Sequence, residues 1–199
     1  MVNLNDPTAE EINILTDQKF LLLKDSIAPK VIQYLSVIER ALKDEIGKSN
    51  FSYPPGTFIQ SGKISKGENY RKLPYFVLDY PRLFTQKEVF AFRTMLWWGN
   101  QFSCTLHIGG ALLKIVKEEK LQDLAKQKDL YFCIADTPWE YHFDETNYQL
   151  TSHMDATNMM EHMHKNNFLK ISRYIPVDQW SRYKMFTLES FARLLSLLN

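Results

Sequence analysis

The sequence has few of the residues that mark special structural classes: of 199 residues, two are cysteines, seven are glycines and eight are prolines. So few glycines and prolines disfavour long flexible linkers, and the length fits a single domain over residues 1–199. Cys104 and Cys133 are too few for a disulfide framework, and both lie in apolar runs typical of buried strands. We therefore predict one globular domain in a reducing, cytoplasmic compartment.

Net charge and the lengths of the apolar runs argue against two classes of partner. The net charge of +1 is low for a chain that binds nucleic acid by neutralising phosphates. No stretch approaches the roughly 18 apolar residues of a membrane span. Residues 1–15 lack the basic region and apolar run of a secretory signal. We predict neither a nucleic-acid partner nor a membrane partner.

No motif commits the chain to a reaction. The sequence contains no glycine-rich phosphate loop, no paired-cysteine or His-Glu-x-x-His zinc signature and no nucleophile elbow. Cys104 falls on the apolar side of its predicted strand, where a thiol is inert. Ser103 and His107 share the other side, but four residues of strand separate them by about 13 Å, too far for a nucleophile and its base. The sequence leaves open whether the protein is an enzyme.

Apolar residues recur at helical spacing near both ends of the chain. Thr8 and Glu11 have capping-box spacing, with Asp6-Pro7 as a rival start, and a second helix begins near Pro29. This second helix presents one apolar face, formed by Val31, Leu35, Ile38 and Leu42. The last helix presents another, formed by Leu188, Phe191, Leu195 and Leu198. It packs either on its own sheet or on a second subunit, so a homodimer is an open alternative.

Between these ends the sequence predicts strands and a central helix. The predicted strands are 58–64, 74–80 (stopped by Pro81), 88–98, 101–108, 130–135, 139–144 and 168–177. The central helix spans roughly 111–126. Strands that follow one another with helices segregated to the ends predict an α+β domain. We expect an antiparallel sheet of about five to seven strands, with the N-terminal, central and C-terminal helices packed on it.

Two strands around Gly99 and Asn100 read as a hairpin with two available registers. A two-residue loop places Arg93 beside Leu106 on the core face, whereas a three-residue loop, 98–100, aligns the apolar faces and puts Asn100 in the left-handed conformation. We prefer the three-residue loop because the buried face sets the register. Thr85 and Glu88 also have capping-box spacing, which offers a helix over 85–96 as the alternative.

The preferred register gathers polar and aromatic side chains on the face away from the core. If a loop or helix covers this face, it becomes a pocket with an apolar floor and converging donors, suited to an anionic small molecule. The candidate ligand-binding residues are Arg93, Trp97, Thr105 and His107, together with Arg71. The alternative is the solvated side of a half-exposed sheet.

The span 136–164 contains six carboxylates, four of the five histidines and no lysine or arginine. On a strand, Glu140, His142 and Asp144 share one face and could hold a divalent metal such as Mn, Fe or Zn. The alternative for this trio is a charged face exposed to solvent. The methionines of the span allow a copper site, although methionine on a short helix more often fills gaps in a core.

The segment 48–72 interleaves lysine and arginine with aromatic residues. That composition suits a single-stranded nucleic-acid groove, but basic residues also protect the edge strands of a sheet from pairing with other chains. We favour the edge. The segment could face the acidic span 136–164, either within one molecule or across a dimer.

The order of features resembles the YktB-like family of bacterial proteins. The shared layout covers roughly residues 10–120: two leading helices, the Pro54-Pro55 loop, the Tyr70–Phe76 strand entry and an aromatic hairpin that runs into a helix. Few residues match, and the Trp97-Trp98-Gly99 turn and the acidic span depart from the pattern. The resemblance implies an α+β fold and supplies no catalytic residues.

Taken together, these patterns support two hypotheses. The first is a non-catalytic cytoplasmic binding domain that uses the face of Arg93, Trp97 and His107 for an anionic small molecule or a protein partner. The second is a metal-dependent enzyme with ligands from Glu140, His142 and Asp144.

Overall fold

A computed structural model describes residues 6–198 of the protein; residues 1–5, part of the segment on which the absence of a signal was predicted, lie outside this range. The helices are α1 (Ala9–Thr16), α2 (Gln18–Lys48), α3 (Glu118–Leu124), α4 (Ala156–Asn166) and α5 (Tyr183–Leu195). The strands are β1 (Lys63–Tyr70), β2 (Leu73–Phe84), β3 (Val89–Trp97), β4 (Gln101–Gly109), β5 (Tyr131–Cys133), β6 (Tyr148–Leu150) and β7 (Phe168–Pro176). Short 3₁₀ helices cover Gly110–Ile115, Thr151–His153, Val177–Arg182 and Ser196–Leu198.

The seven strands form one antiparallel sheet in the order β1-β2-β3-β4-β7-β5-β6. Strands β1 to β4 lie side by side in chain order. Strand β7 pairs with the free side of β4, and β5 and β6 lie beyond β7 at that end of the sheet. The predicted α+β class is therefore confirmed. Within residues 6–198, no helix combines the length and the apolarity needed to cross a membrane.

The β3–β4 hairpin has the predicted three-residue loop. Leu96 pairs with Phe102 and Phe92 with Leu106, so the apolar side chains of both strands share one face. The left-handed residue of the loop is Gly99, at φ +70°, and not Asn100 as predicted. Glycine takes this conformation without steric cost because it has no Cβ atom.

The helical alternative for residues 85–96 is wrong. The Thr85 hydroxyl does accept the backbone N–H of Glu88 at 2.8 Å, as a helix cap would, but the Thr85 N–H also bonds the Glu88 carbonyl at 2.9 Å. These bonds close a tight turn from β2 into β3. The Thr85–Glu88 spacing therefore does form a capping-type hydrogen bond. The residues after Glu88 form a strand and not a helix, because they pair with β2 and β4.

Three strand predictions were misplaced. The first strand starts at Lys63, and Phe58 forms only an isolated bridge with Arg82. Pro81 does not end β2, because the pairing with β3 shifts register between Asp79 and Arg82 and so accommodates a residue that cannot donate to the ladder. Residues 139–144 are an extended loop, and the strand of this region is β6, which lies in a span predicted as loop and helix.

Helix α2 packs on the sheet through the predicted face: Val31, Leu35, Ile38, Leu42 and, one turn later, Ile46 are buried. The helix starts earlier than predicted, at Gln18, where Asp17 caps it by accepting the Phe20 N–H at 2.9 Å. Pro29 lies inside the helix at an exposed position, where water can hydrate the carbonyl that its missing N–H leaves unpaired.

The C-terminal helix α5 covers its own sheet. Phe191 packs edge-on to Phe92 of β3, and the Cys104 thiol of β4 lies 3.6 Å from the Thr187 hydroxyl. Helix α4 adds Met159 and Met163 to the same core, which is the gap-filling role that methionine commonly has. The predicted central helix is divided into the 3₁₀ helix Gly110–Ile115 and the short α3.

Candidate functional site

The sheet face opposite the helices carries the predicted ligand-binding side chains. The β3–β4 register places Arg93 opposite Thr105, and the β4–β7 register places Lys170 opposite His107. We call this surface the loop face, because residues 134–147, the covering loop, lie over it. Its buried or half-buried polar and aromatic side chains are Asp79, Arg93, Trp97, Thr105, His107, Lys170 and Ser172.

Tyr141 of the covering loop fills the space over the loop face. Its ring joins a small apolar cluster with Val77, Met95 and Trp97. Its hydroxyl accepts a hydrogen bond from Arg93 Nη1 at 2.6 Å. The cover that the pocket hypothesis required is therefore present, and the Tyr141 side chain of that cover contacts the predicted ligand residues Arg93 and Trp97.

The guanidinium of Arg93 is already paired. Nε and Nη2 donate to the two carboxylate oxygens of Asp79 at 2.7 and 2.8 Å, and the arginine side chain is 19% exposed. Burial alone would lower the pKa of Arg93, but the hydrogen bonds to Asp79 and the nearby tyrosines outweigh it and raise the pKa. This bidentate fork, which would recognise a carboxylate or phosphate ligand, is satisfied within the chain.

The other predicted ligand residues are also engaged or enclosed. The hydroxyls of Thr105 and Ser172 share a hydrogen bond of 2.7 Å. The His107 ring packs against Trp139 and Phe168, and burial, followed by the charges of Lys170 and Arg93, lowers the pKa of His107 to about 3. His107 is therefore a neutral, enclosed imidazole at physiological pH.

Lys170, like Asp79 and Ser172, is a residue of this face that the sequence patterns did not single out. Its side chain is completely buried, its ammonium donates to the backbone carbonyl of Glu140, and it lies 4.3 and 4.8 Å from the ring centroids of Tyr141 and Tyr148. Burial lowers the pKa of Lys170 to about 8. Strand alternation put this lysine on the face away from the core, which normally meets solvent, so only the covering loop explains its burial.

Tyr70, at the end of β1, holds the covering loop in place. Its hydroxyl accepts the backbone N–H groups of Tyr141 at 2.7 Å and His142 at 3.1 Å, and it donates to the Glu140 carboxylate at 2.9 Å. Burial raises the pKa of Tyr70 to about 12, so the hydroxyl keeps its proton at neutral pH. One side chain thus satisfies three groups of an otherwise irregular segment.

The structure brings the predicted metal ligands together, but around one imidazole and not around one point. Glu140 lies 3.7 Å from His142 Nε2, whereas Asp144 lies 3.1 Å from Nδ1, on the other side of the ring and without hydrogen-bond geometry. Among residues 6–198, no three His, Cys, Asp or Glu side chains converge so as to hold a metal ion. Burial, and then the charge of Arg71, lower the pKa of His142.

The contact between the basic segment 48–72 and the acidic span 136–164 is present within the chain. Arg71 Nη1 lies 2.7 Å from an oxygen of Asp144. Arg71 and Lys72 form the two-residue β1–β2 loop at φ values of 50° and 68°, in the left-handed region that non-glycine residues seldom adopt. Arg71, predicted as a ligand residue, is thus directed to the covering loop.

Comparison with known proteins finds no matching family model, no matching curated protein and no matching solved structure. The resemblance to the YktB-like family therefore stays a prediction.

A second feature of the structure is an apolar surface at the N-terminal end. We call residues 9–26, helix α1 with the first part of α2, the arm. Helix α1 buries none of its residues, and the α2 residues that enter the core begin at Val31. The large apolar side chains of the arm are 44–65% exposed: Ile12, Ile14, Leu15, Phe20, Leu21, Leu22 and Leu23.

Four of these apolar residues, 20–23, are consecutive in α2. At 3.6 residues per turn, four consecutive side chains point to all sides of the helix. A helix that is apolar all round is normally buried. In the sequence, the run FLLL is the signal for this surface. A search for helical periodicity does not detect such a run, because it identifies apolar residues that share one face of a helix.

Proposed function

We propose that the protein is a non-catalytic interaction domain that assembles with a second copy of itself through the arm. The observation that carries this proposal is the set of seven large apolar side chains of the arm, each about half exposed. Monomeric proteins seldom present a contiguous apolar patch of more than a few hundred Å². The arm keeps its large apolar side chains about half exposed, although its second half contacts β1 where Lys24 lies 3.7 Å from Glu68.

The charges of the arm support a second copy as the partner. Acidic side chains lie at and just before its start, where Asp6, Glu10 and Glu11 are exposed. Exposed Lys19 lies in its second half, whereas Lys24 lies 3.7 Å from Glu68 of the same chain. When two arms pack antiparallel, the acidic end of each meets Lys19 of the other. A symmetric dimer requires such a self-complementary patch.

The apolar surface of the arm is extensive. The seven half-exposed side chains offer on the order of 600 Å² on each chain, and a second arm covers the share of this area that faces it. The apolar core with charged residues at its margin also matches the usual anatomy of an interface.

The two hypotheses drawn from the sequence have less support. An anionic ligand at Arg93 would have to displace Asp79, and a metal at His142 would have to separate Asp144 from Arg71. A cytoplasmic setting is part of this proposal, and the two buried cysteines, both unpaired, support it.

Oligomeric state tests the proposal. We expect sedimentation velocity of the full chain to give a dimer, and the Leu15→Gln/Leu22→Gln variant to give a monomer with an unchanged circular dichroism spectrum. Glutamine preserves helix propensity, so the change removes apolar surface only. Met185→Gln is the matched control, because Met185 is 57% exposed but lies outside the arm.

Charge reversal tests the antiparallel pairing. Asp6→Lys/Glu10→Lys and Lys19→Glu should each be monomeric alone and should form a mixed dimer when combined. A monomeric parent overturns the proposal. If a monomeric parent binds neutral phosphatidylcholine vesicles through the arm, the surface is a membrane anchor instead.

A further inference from the structure

A cavity of about 420 Å³ lies at the β5–β6 end of the sheet, on the side of the covering loop. Its lining residues are Tyr131, Phe143, Glu145, Tyr148, Gln149, Leu150 and His153. Small-molecule sites are commonly clefts of this size. The cavity is separate from the arm and from the paired side chains around Arg93.

The walls of the cavity are aromatic and held in fixed positions. Phe143 stacks on Tyr148 with ring centroids 4.7 Å apart, and it meets Tyr131 edge-on at 5.1 Å. Tyr174 of β7 supports Phe143 from outside the lining, at 4.5 Å. Rings that brace one another in this way form a preorganised apolar surface for a flat or apolar group.

The lining has one carboxylate, and its other polar groups, the hydroxyls of Tyr131 and Tyr148, the Gln149 amide and the His153 imidazole, can both donate and accept hydrogen bonds. Glu145 is the carboxylate, and it makes no ion pair among the residues that the structure describes. Gln149 donates its amide to the carbonyl of His153 at 3.4 Å, which leaves the Gln149 amide oxygen as a further acceptor. Lysine and arginine are absent from the lining.

The surroundings add to this negative charge. The cavity draws six of its seven lining residues from the span 136–164, which carries six carboxylates and no lysine or arginine. Two of these carboxylates are paired with cations from outside the span, Asp144 with Arg71 and Asp136 with Lys165. The remaining carboxylates, with Glu145 in the lining itself, favour the approach of a cation over that of an anion. The ligand charge favoured by this cavity is therefore positive, whereas the sequence suggested an anionic ligand at the face of Arg93.

We propose that this cavity binds an organic cation, a primary ammonium attached to an aromatic or similar apolar group. The apolar part packs against Tyr131 and Phe143. The ammonium donates to the Glu145 carboxylate, and a charge-assisted bond of this kind is about twice as strong as a neutral one.

Isothermal titration with benzylammonium tests the site, with benzyl alcohol and benzoate as the neutral and anionic analogues. We expect the ammonium to bind at least tenfold more tightly than the alcohol, and benzoate not to bind. Glu145→Gln should weaken benzylammonium about tenfold and leave the affinity for benzyl alcohol unchanged. Glu145 is exposed, so this variant should fold as the parent does.

Glu161→Gln is the matched control, because it removes an exposed carboxylate of the same span that lies on α4 and outside the cavity lining. Equal weakening by both variants would show general attraction to an acidic surface and would overturn the site. Binding of benzoate as tight as that of benzylammonium, or no binding of benzylammonium at all, would overturn the ligand class. These results are independent of the oligomeric state, and so of the proposal for the arm.

Discussion

The ammonium of Lys170 lies 4.3 Å from the ring centroid of Tyr141, and no part of this lysine reaches solvent. The contact joins the centre of the sheet to the covering loop. A lysine between apolar strand neighbours is normally directed to water, yet here the loop supplies an aromatic ring and the Glu140 carbonyl in its place. Desolvation nevertheless remains the largest effect on the pKa of Lys170, which it lowers.

We predict that Lys170→Met stabilises the protein at pH 7. The pKa of Lys170 is 10.5 in the unfolded chain and about 8 in the folded protein. Burying the charged ammonium therefore lowers the free energy of unfolding by its full amount below pH 8, and this destabilisation disappears as the pH rises to 10.5. After subtraction of the lost hydrogen bond to Glu140, the gain at pH 7 is about 2 kcal/mol. Urea unfolding at pH 7 and at pH 10 measures the gain and its decrease.

The exposed Lys128→Met is the control for this comparison. If Lys170→Met proves less stable than the parent at pH 7, the contacts with Glu140 and the rings outweigh desolvation.

Acid unfolding should depend on His107. Its pKa is 6.5 unfolded and about 3 folded, so stability is fully present above pH 6.5 and is lost as pH falls towards 3. His107→Phe should remove this loss, so that the free energy of unfolding of the variant falls by about 3 kcal/mol less than that of the parent between pH 7 and pH 4. Thermal unfolding at the two pH values measures this difference, with exposed His164→Phe as the matched control. Equal sensitivity of parent and His107→Phe would contradict the assignment.

Two glycines with the same backbone angle should respond very differently to alanine. Gly99 and Gly110 both have φ near +70°, so left-handed strain, about 1 kcal/mol, applies to each. A Cβ atom at Gly110 would lie 1.8 Å from the Lys87 carbonyl oxygen, whereas the nearest atom at Gly99, on Leu73, is 3.9 Å away. We expect Gly99→Ala to cost about 1 kcal/mol and Gly110→Ala several kcal/mol, measured by urea unfolding. Similar costs would mean that the Lys87 backbone moves freely.

The two cysteines should be unreactive in the folded protein. Burial raises the pKa of Cys104 to about 12 and also raises that of Cys133. Because the thiolate is the reactive form, a thiol-specific reagent such as dithionitrobenzoate should label neither residue in native protein. Both should react in guanidinium. Stoichiometric labelling of native protein would show that one of these regions opens.

The helix face of the sheet was predictable because it follows local periodicity. The buried face of α2 from Val31 to Leu42, the capping box at Thr8 and the β3–β4 register each depend on residues close in sequence. The strand at 139–144 was not predicted correctly, because alternation of charged and aromatic residues also suits an extended loop whose partner is a tyrosine hydroxyl. That hydroxyl belongs to Tyr70, some seventy residues earlier in the chain.

The grouping of Arg93, Trp97, Thr105 and His107 on one face was predicted correctly, whereas the hydrogen bonds of Arg93 to Asp79 and Tyr141 were not predicted. Strand alternation fixes which side of the sheet a residue takes, but it carries no information about what covers that side. Asp79 lies in β2 and Arg93 in β3, and the register of these two strands places the residues opposite each other.

The sequence by itself determined the α+β class, the amphipathic helices and the residues that share each sheet face, because these follow from spacing along the chain. Only the tertiary structure decided that the covering loop encloses Lys170, that Tyr141 contacts Arg93 and Trp97, and that the large apolar side chains of the arm stay about half exposed. Each of these depends on which distant segment reaches a surface, and long-range packing sets that without leaving a local pattern in the sequence.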